Sequence, residues 1–130
     1  MKEIKFRQPI YENGKIIKWH YWGFKNGEYQ LPINQHESYQ FTGMKDKNKK
    51  EIYEGDFVKY TADIMWSAKK GIISVDTFAV VVRGYAGFTF KQIGKEPLRA
   101  LNYEQYEVIG NKFQNPEILK EVDKDGERGS

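Results

Sequence analysis

The 130-residue chain contains no cysteine, only two histidines and four prolines. The absence of cysteine excludes disulfides, thiolate metal sites and cysteine nucleophiles. No apolar run approaches the roughly 20 residues of a membrane-spanning helix, and the opening stretch MKEIKFRQPIYENGK has no apolar signal-peptide core. We therefore expect a cytoplasmic protein with no cofactor and no membrane partner.

Aromatic residues are abundant by contrast, at 15% of the chain within a hydrophobic content of 39%. Each Å² of apolar surface buried contributes roughly 25 cal/mol, so this content supports one compact core in a chain of single-domain length. The formal net charge is +3, and the positive excess comes from residues 1–60. An excess this small permits nucleic-acid binding without indicating it.

Short β-rich segments separated by turn residues run through most of the chain. The segment from Lys15 to Phe24, KIIKWHYWGF, is rich in β-branched and aromatic residues. It follows Asn13 and Gly14, and a second Asn-Gly pair stands at residues 26–27. Asn-Gly tolerates the positive φ angles of a type I′ turn, so these pairs predict hairpins.

The remaining segments complete a mainly β prediction. FVKY, GIISV and TFAVVVRG indicate strands, and the apolar character of the last predicts burial on both faces. Residues 61–74 give no firm prediction, because ADIMWSA fits a helical turn or a loop. Asn115 and Pro116 predict a helix start near the C-terminus.

These elements favour a small SH3-like or related β-barrel with extra N-terminal antiparallel strands and a short C-terminal helix. We predict a single β-rich domain over residues 1–122, followed by a polar tail over 123–130. Within the domain, residues 1–39 form a strand meander, and residues 40–122 form the barrel-like part and the helix.

No catalytic or metal-binding arrangement emerges from the residue pattern. The segment DKNKKE from Asp46 begins like a calcium loop, but it lacks the required glycine and the final glutamate. His20 lies in an aromatic strand and His36 in a polar loop. Glu54 and Asp56 flank a glycine, where turn formation explains them more simply than acid–base catalysis. We predict a non-enzymatic protein and keep a hydrolase that uses this pair, with or without a histidine, as a remote alternative.

A lysine-rich segment offers a candidate contact with nucleic acid or a protein. Its four basic side chains are Lys45, Lys47, Lys49 and Lys50. Aromatic residues on strands would stack on bases, as on OB-type platforms; the first candidates are Trp19, Tyr21 and Trp22, followed by Tyr29, Tyr39 and Tyr53. Asp46 and Glu51 dilute the positive charge, and exposed loop tips are commonly charged for solubility. Both interpretations stay open.

Three segments carry a resemblance to a known family. They are KFR from Lys5, QFTGMKDKNKKEIYEGDFVKY from Gln40, and YEVIGNKFQNPEIL from Tyr106. In this order they resemble the YopX family, small proteins encoded by bacteriophages and prophages. Lys49 departs from the family pattern, which often has glycine at that position, and residues 61–74 look individual to this chain.

The resemblance implies a mostly β, phage-associated protein and supplies no catalytic residues. The middle and last segments contain turn formers that we expect to specify the fold: Gly43, Asn48, Gly55, Asp56, Gly110 and Asn111. We predict an accessory protein that binds a host or phage protein partner. Nucleic acid is the alternative partner, and self-association into a homo-oligomer is a further possibility.

Overall fold

A computed structural model describes residues 4–25, 28–33, 36–69, 71–85, 87–94 and 103–120. The described residues are mainly β, as predicted, with a 3-10 helix at Tyr103–Gln105 and a helix beginning at residues 117–120. The strands are β1 (Ile4–Glu12), β2 (Lys15–Lys25), β3 (Glu28–Gln30), β4 (Tyr39–Lys45), β5 (Glu51–Tyr53), β6 (Asp56–Ser67), β7 (Gly71–Gly84), β8 (Gly87–Ile93) and β9 (Glu107–Asn111).

The N-terminal sheet has the strand order β3-β2-β1-β4-β5 and is antiparallel. Asn13 and Gly14 join β1 to β2 with φ angles of 52° and 78°, which confirms the predicted type I′ geometry. Register then pairs Ile4 with Phe24 at the far end of this hairpin. The second Asn-Gly pair, at residues 26–27, lies outside the described residues.

The C-terminal sheet has the order β8-β7-β6-β9, and the β6–β7 hairpin is its longest feature. Residues 61–67 belong to β6, so the prediction of a helical turn or loop for ADIMWSA is wrong. The strand forms because Thr61 pairs with Asp76 and Ala62 with Val75, and burial alternates from exposed Thr61 to buried Ala62. Pairing across the hairpin overrides a weak local signal.

The apolar core lies on both faces of the C-terminal sheet. One cluster contains Ile52, Val58 and Tyr106 with neighbours from β7. The other contains Phe57 and Ile93 on the opposite face. Because side chains alternate along a strand, β6 and β7 contribute to both clusters. The predicted two-sided burial of TFAVVVRG is confirmed by this arrangement.

The two sheets are open, and the described residues contain no closed barrel, so the expected SH3-like barrel is not met there. The reason is that β6 already pairs with β7 and β9, which leaves no edge for β5. The chain passes from one sheet to the other at Glu54 and Gly55 instead. This division falls well after residue 39, since β4 and β5 belong to the N-terminal sheet. The predicted tail, 123–130, lies outside the described residues.

Among the described residues, no helix is long and apolar enough to cross a membrane.

Candidate functional site

A buried arginine joins the two sheets. Arg7 on β1 donates a hydrogen bond from Nη2 to Asp56 Oδ1 at 2.6 Å. Its guanidinium lies 4.1 Å from the centre of the Trp19 ring and 4.3 Å from that of Tyr53. The second oxygen of Asp56 accepts the Tyr53 backbone N–H at 2.8 Å. Arginine suits this position because a flat, weakly hydrated cation can stack between two rings while pairing with a carboxylate.

Burial controls the protonation of this cluster. Asp56 is only 2% exposed, and burial raises its pKa to about 6 although Arg7 and the Tyr53 N–H act in the opposite direction. Burial also raises the pKa of the Tyr53 hydroxyl, and the nearby Glu51 carboxylate adds to the effect. Asp56 is therefore ionised at neutral pH and forms an ion pair with Arg7.

Glu54 and Asp56, the suggested acid–base pair, have separate partners. Glu54 lies in the turn between β5 and β6, where its Oε1 is 3.8 Å from Arg83 Nη2. Asp56 is buried against Arg7. Each carboxylate therefore faces a different arginine, and the geometry accounts for Asp56 as a contact between the sheets.

The lysine-rich turn between β4 and β5 is organised by Asp46, which is buried. Its Oδ1 accepts the backbone N–H groups of Asn48 and Lys50, both at 2.8 Å. Its Oδ2 accepts the N–H of Val108 on β9 at 2.9 Å. A carboxylate that accepts several backbone N–H groups fixes a turn tightly. Asp46 thus holds the turn against the C-terminal sheet rather than diluting a charged patch.

The four lysines of this turn are exposed: Lys45, Lys47, Lys49 and Lys50. Lys47 Nζ lies 3.7 Å from Glu107 Oε2, a contact between exposed groups that contributes little to stability. Lys49 has a φ of 63°, the left-handed region that favours glycine. The turn therefore places a lysine in a backbone conformation that glycine adopts without strain.

The aromatic candidates on β2 occupy opposite faces of the sheet. Trp19 and Tyr21 share one face, where Trp19 meets Phe113 edge-on at 6.0 Å and Tyr21 approaches Tyr53 of β5. Trp22 is on the other face, stacked on Phe6 at 4.3 Å, and its Nε1 donates to Ser38 Oγ. Packing therefore occupies the rings of Trp19 and Trp22, whereas Tyr21 stays 44% exposed.

The remaining aromatic candidates differ in exposure. Tyr53 is buried, and Tyr39 packs against the ring of Phe113 at 4.2 Å. Tyr29 is 59% exposed on β3. Of these three rings, only Tyr29 is therefore open to a partner.

A cleft of 580 Å³ opens at the β3 end of the N-terminal sheet. Its charged side chains are Lys5, Glu28 and Glu51, and Lys5 forms an ion pair with Glu51. The other lining residues are Tyr21, Trp22, Gly23, Phe24 and Gln30. Concave sites with aromatic walls and a few polar groups are typical ligand sites. Of the sequence candidates, the cleft brings together Tyr21 and Trp22 and none of the four lysines.

An apolar row that shares Phe24 with the cleft was not predicted from the sequence. Ile4, Phe24 and Tyr29 are register partners across β1, β2 and β3, and they are 55%, 39% and 59% exposed. Leu31 and Ile33, just after β3, are also exposed. We call these five residues the apolar row. The alternation of side chains along each strand indicates which residues share a face, but only the register shows that the three strand residues are neighbours.

The Gly110-Asn111 motif ends β9 and organises the compact turn that follows it. Asn111 Oδ1 accepts the N–H groups of Phe113 and Gln114, and Asn115 Oδ1 accepts the Asn111 N–H at 3.2 Å. A Cβ at Gly110 would stand 2.6 Å from that same Asn115 oxygen. Glycine is therefore required here by close approach. Asn115, predicted as a helix cap, is the residue that Gly110 accommodates.

Gly55 has a similar role at the crossing between the sheets. Its N–H donates to Val81 O at 2.8 Å and its carbonyl accepts the Lys112 N–H at 2.9 Å. With a φ of 92° and a Phe113 ring carbon 2.8 Å from its missing Cβ, the position admits only glycine. Two other predicted turn residues, Gly43 and Asn48, lie in open surroundings: nothing is within 4 Å of a Cβ at Gly43, and Asn48 is exposed.

Both histidines contact backbone carbonyls. His20 Nε2 lies 2.9 Å from Leu31 O, and His36 Nδ1 lies 3.4 Å from Pro9 O. No group of three or more His, Cys, Asp or Glu side chains in the described part of the chain is placed to hold a metal ion. The histidines therefore help position the segment after β3 over the sheet.

A family model described as YopX protein matches residues 4–120. The crystal structure of protein EF1440 from Enterococcus faecalis is similar at 22% sequence identity with a TM-score of 0.48, over 89% of this chain and 97% of that one. A comparison with curated proteins finds no match. Since the family model spans most of its length, the chain belongs to the YopX family.

Proposed function

We propose that this protein is a non-enzymatic accessory protein of a phage or prophage, which acts in the bacterial cytoplasm by binding a host or phage protein. The phage setting rests on the resemblance described above. The binding role rests on one observation, the apolar row, in which Ile4, Phe24 and Tyr29 stand side by side and exposed across three strands.

The chemistry of the apolar row favours a protein over a nucleic acid. Its five side chains are apolar or phenolic, and exposed contiguous groups of this kind mark protein interfaces. Nucleic acids require phosphate-binding cations, which the row itself lacks. Burying large side chains such as Phe24 and Tyr29 in a partner would supply the centre of an interface.

The test is a cross-linked pull-down from lysogenic or infected cells with three matched baits. The wild-type chain is compared with Phe24→Ser/Tyr29→Ser and with Met65→Ser, which removes an exposed apolar side chain from β6. We expect one partner to be retained by wild type and Met65→Ser and lost with the double variant. Equal capture by all three baits, or by none, contradicts the proposal.

The same variants also distinguish binding of a host or phage protein from binding of a second copy of this chain. Light scattering on the purified chain would then show a dimer that the double variant converts to monomer. The proposal of a host or phage partner would be replaced by self-association.

Nucleic-acid binding is the second candidate, favoured by the four exposed lysines on a turn that Asp46 holds in place. Clustered ammonium groups on a fixed turn contact phosphates in a salt-dependent way. Fluorescence anisotropy with labelled single-stranded DNA, duplex DNA and RNA tests this at low and physiological salt. If the protein binds nucleic acid through this turn, the affinity falls as the salt concentration rises, and it falls again when all four lysines are replaced by glutamine. Absence of binding at low salt rejects it.

A further inference from the structure

We infer that the cleft holds a lysine or arginine side chain from an extended segment of the partner protein. The inference rests on the proposed function for the existence of a partner, and it adds the chemistry of the segment that is recognised. The cleft shares Phe24 with the apolar row, whereas Glu28 belongs to the cleft alone, so Glu28 can be altered without changing the row.

Register places five of the cleft residues on one face. Lys5, Gly23 and Gln30 are paired neighbours across β1, β2 and β3. Tyr21 and Glu28 lie two residues from Gly23 and Gln30, so they share that face. A Cβ at Gly23 would stand 2.2 Å from the Ile4 carbonyl oxygen, and no side chain can replace this glycine. The absence of a side chain at this point of the cleft is therefore required by the packing of the two strands.

The charges of the cleft favour a cation. The lining contains one lysine and two glutamates, and Lys5 is paired with Glu51, so Glu28 is the excess negative charge of the lining. Beside it, the partly exposed rings of Tyr21 and Phe24 line the cleft. Carboxylates together with aromatic rings bind ammonium and guanidinium groups through charge-assisted hydrogen bonds and cation–π contacts. An acidic recess on a chain of net charge +3 is a local feature that the overall charge does not explain.

The edge of the sheet indicates that the cation belongs to an extended segment. β3 is the outermost strand of the described N-terminal sheet, and Glu28 and Gln30 line the cleft from it. An edge strand presents backbone N–H and C=O groups to which an extended peptide can add as a further strand. Side chains of such a peptide alternate in direction, so every second one would point toward the cleft face.

The experiment uses short fluorescein-labelled peptides of alternating arginine and valine, because valine favours the extended form. Matched peptides replace arginine by citrulline, which has the same shape without the charge, or by glutamate. Anisotropy measures affinity for the full chain, and amide shifts in ¹⁵N spectra locate the site. We expect the arginine peptide alone to bind and to shift the amides of Tyr21, Gly23 and Glu28.

Two variants separate the cleft from general attraction. Glu28→Gln removes the excess charge from an exposed position, and we expect affinity to fall about tenfold, since a charge-assisted contact becomes a neutral one. Glu12→Gln is the matched control at the distant end of β1 and should bind as wild type. Equal binding of the citrulline peptide, equal binding by Glu28→Gln, or amide shifts elsewhere would overturn the inference.

Failure of this inference differs from failure of the proposed function. If the pull-down partner is lost with Phe24→Ser/Tyr29→Ser but retained at full strength by Glu28→Gln, the protein-binding function stands and the cleft is not its recognition site. If no partner is captured while the arginine peptide binds through Glu28, the proposed use of the apolar row fails and the cleft remains a cation-binding site.

Discussion

At the scale of single residues, Lys49 has a strained, left-handed backbone conformation that was not predicted from the sequence. Its φ of 63° is costly for a side chain with a Cβ, and Asp46 holds the turn in that conformation through Asn48 and Lys50. The strain is local, because the Lys49 side chain is exposed. A glycine would occupy the same backbone position without it.

We expect Lys49→Gly to stabilise the fold by about 0.5–1 kcal/mol, since relief of about 1–2 kcal/mol of left-handed strain outweighs the extra freedom of glycine in the unfolded chain. Chemical denaturation measures the change. Lys50→Gly is the matched control, because it removes the same charge at a position without positive φ, and it should destabilise. If both variants behave alike, charge rather than backbone strain governs the turn.

The carboxyl group of Asp56 has a pKa well above the usual value for aspartate. Burial raises its pKa to about 6, against about 3.8 in the unfolded chain. Carboxyl ¹³C chemical shifts should therefore show Asp56 titrating near pH 6, with Asp56→Asn used to assign the signal. A midpoint near 4 would mean that Arg7 outweighs burial.

The raised pKa also sets the sign of a stability change. Between pH 6 and pH 4 the folded state takes up a proton at Asp56, whereas the unfolded state does not. The stability that this proton uptake contributes is therefore complete below pH 4 and is lost as the pH rises to 6. We expect the unfolding free energy of wild type, relative to Asp56→Asn, to fall by about 3 kcal/mol across that window. A relative gain with rising pH would contradict the assignment.

At the scale of elements, the turn after β9 depends on a close contact. A Cβ at Gly110 would meet Asn115 Oδ1 at 2.6 Å and the Ile118 Cδ1 atom at 3.0 Å. The Asn115 oxygen cannot move freely, because it accepts the Asn111 N–H. This single position therefore controls how the chain leaves the C-terminal sheet and starts the terminal helix.

We expect Gly110→Ala to cost about 1–3 kcal/mol, the usual penalty for an extra methyl group in a filled space. Thermal unfolding followed by circular dichroism measures the loss. Gly110→Ala/Asn115→Ala should be less destabilised than the sum of the two single variants, because the first clash disappears with the asparagine oxygen. Strict additivity would show that the cost of Gly110→Ala does not come from contact with the Asn115 side-chain oxygen.

Elements were predictable to different degrees for physical reasons. The β1–β2 hairpin could be predicted because Asn13 and Gly14 have a local conformational preference that tertiary packing retains. Residues 61–67 could not, because ADIMWSA has no strong local preference and becomes a strand only through pairing with β7. The same dependence on pairing conceals the apolar row, because Ile4, Phe24 and Tyr29 come from three different strands.

At the scale of the whole molecule, Arg7 and Asp56 join the two sheets across 49 positions of sequence. We expect Arg7→Met to cost about 3–5 kcal/mol, because it leaves a buried carboxylate without its cation. Denaturation followed by tryptophan fluorescence and by circular dichroism should give the same lowered midpoint.

Removing the stranded charge provides the control for that prediction. Arg7→Met/Asp56→Asn should recover part of the loss, since the asparagine is neutral and still has an oxygen to accept the Tyr53 N–H. If the double variant is as unstable as Arg7→Met, the loss comes from ring stacking on Trp19 and Tyr53 rather than from the ion pair.

The sequence by itself determined the mainly β character, the turn positions and the family, because these follow from local backbone preferences and from contiguous motifs. The candidate lysines were also foreseeable, since charged turn residues are exposed wherever the turn lies on the surface. Only the tertiary structure decided that Asp56 belongs to Arg7, that Asp46 anchors the lysine turn, and that Ile4, Phe24 and Tyr29 form one surface. Strand register and sheet contacts join residues far apart in the chain, and no local pattern encodes which of them will meet.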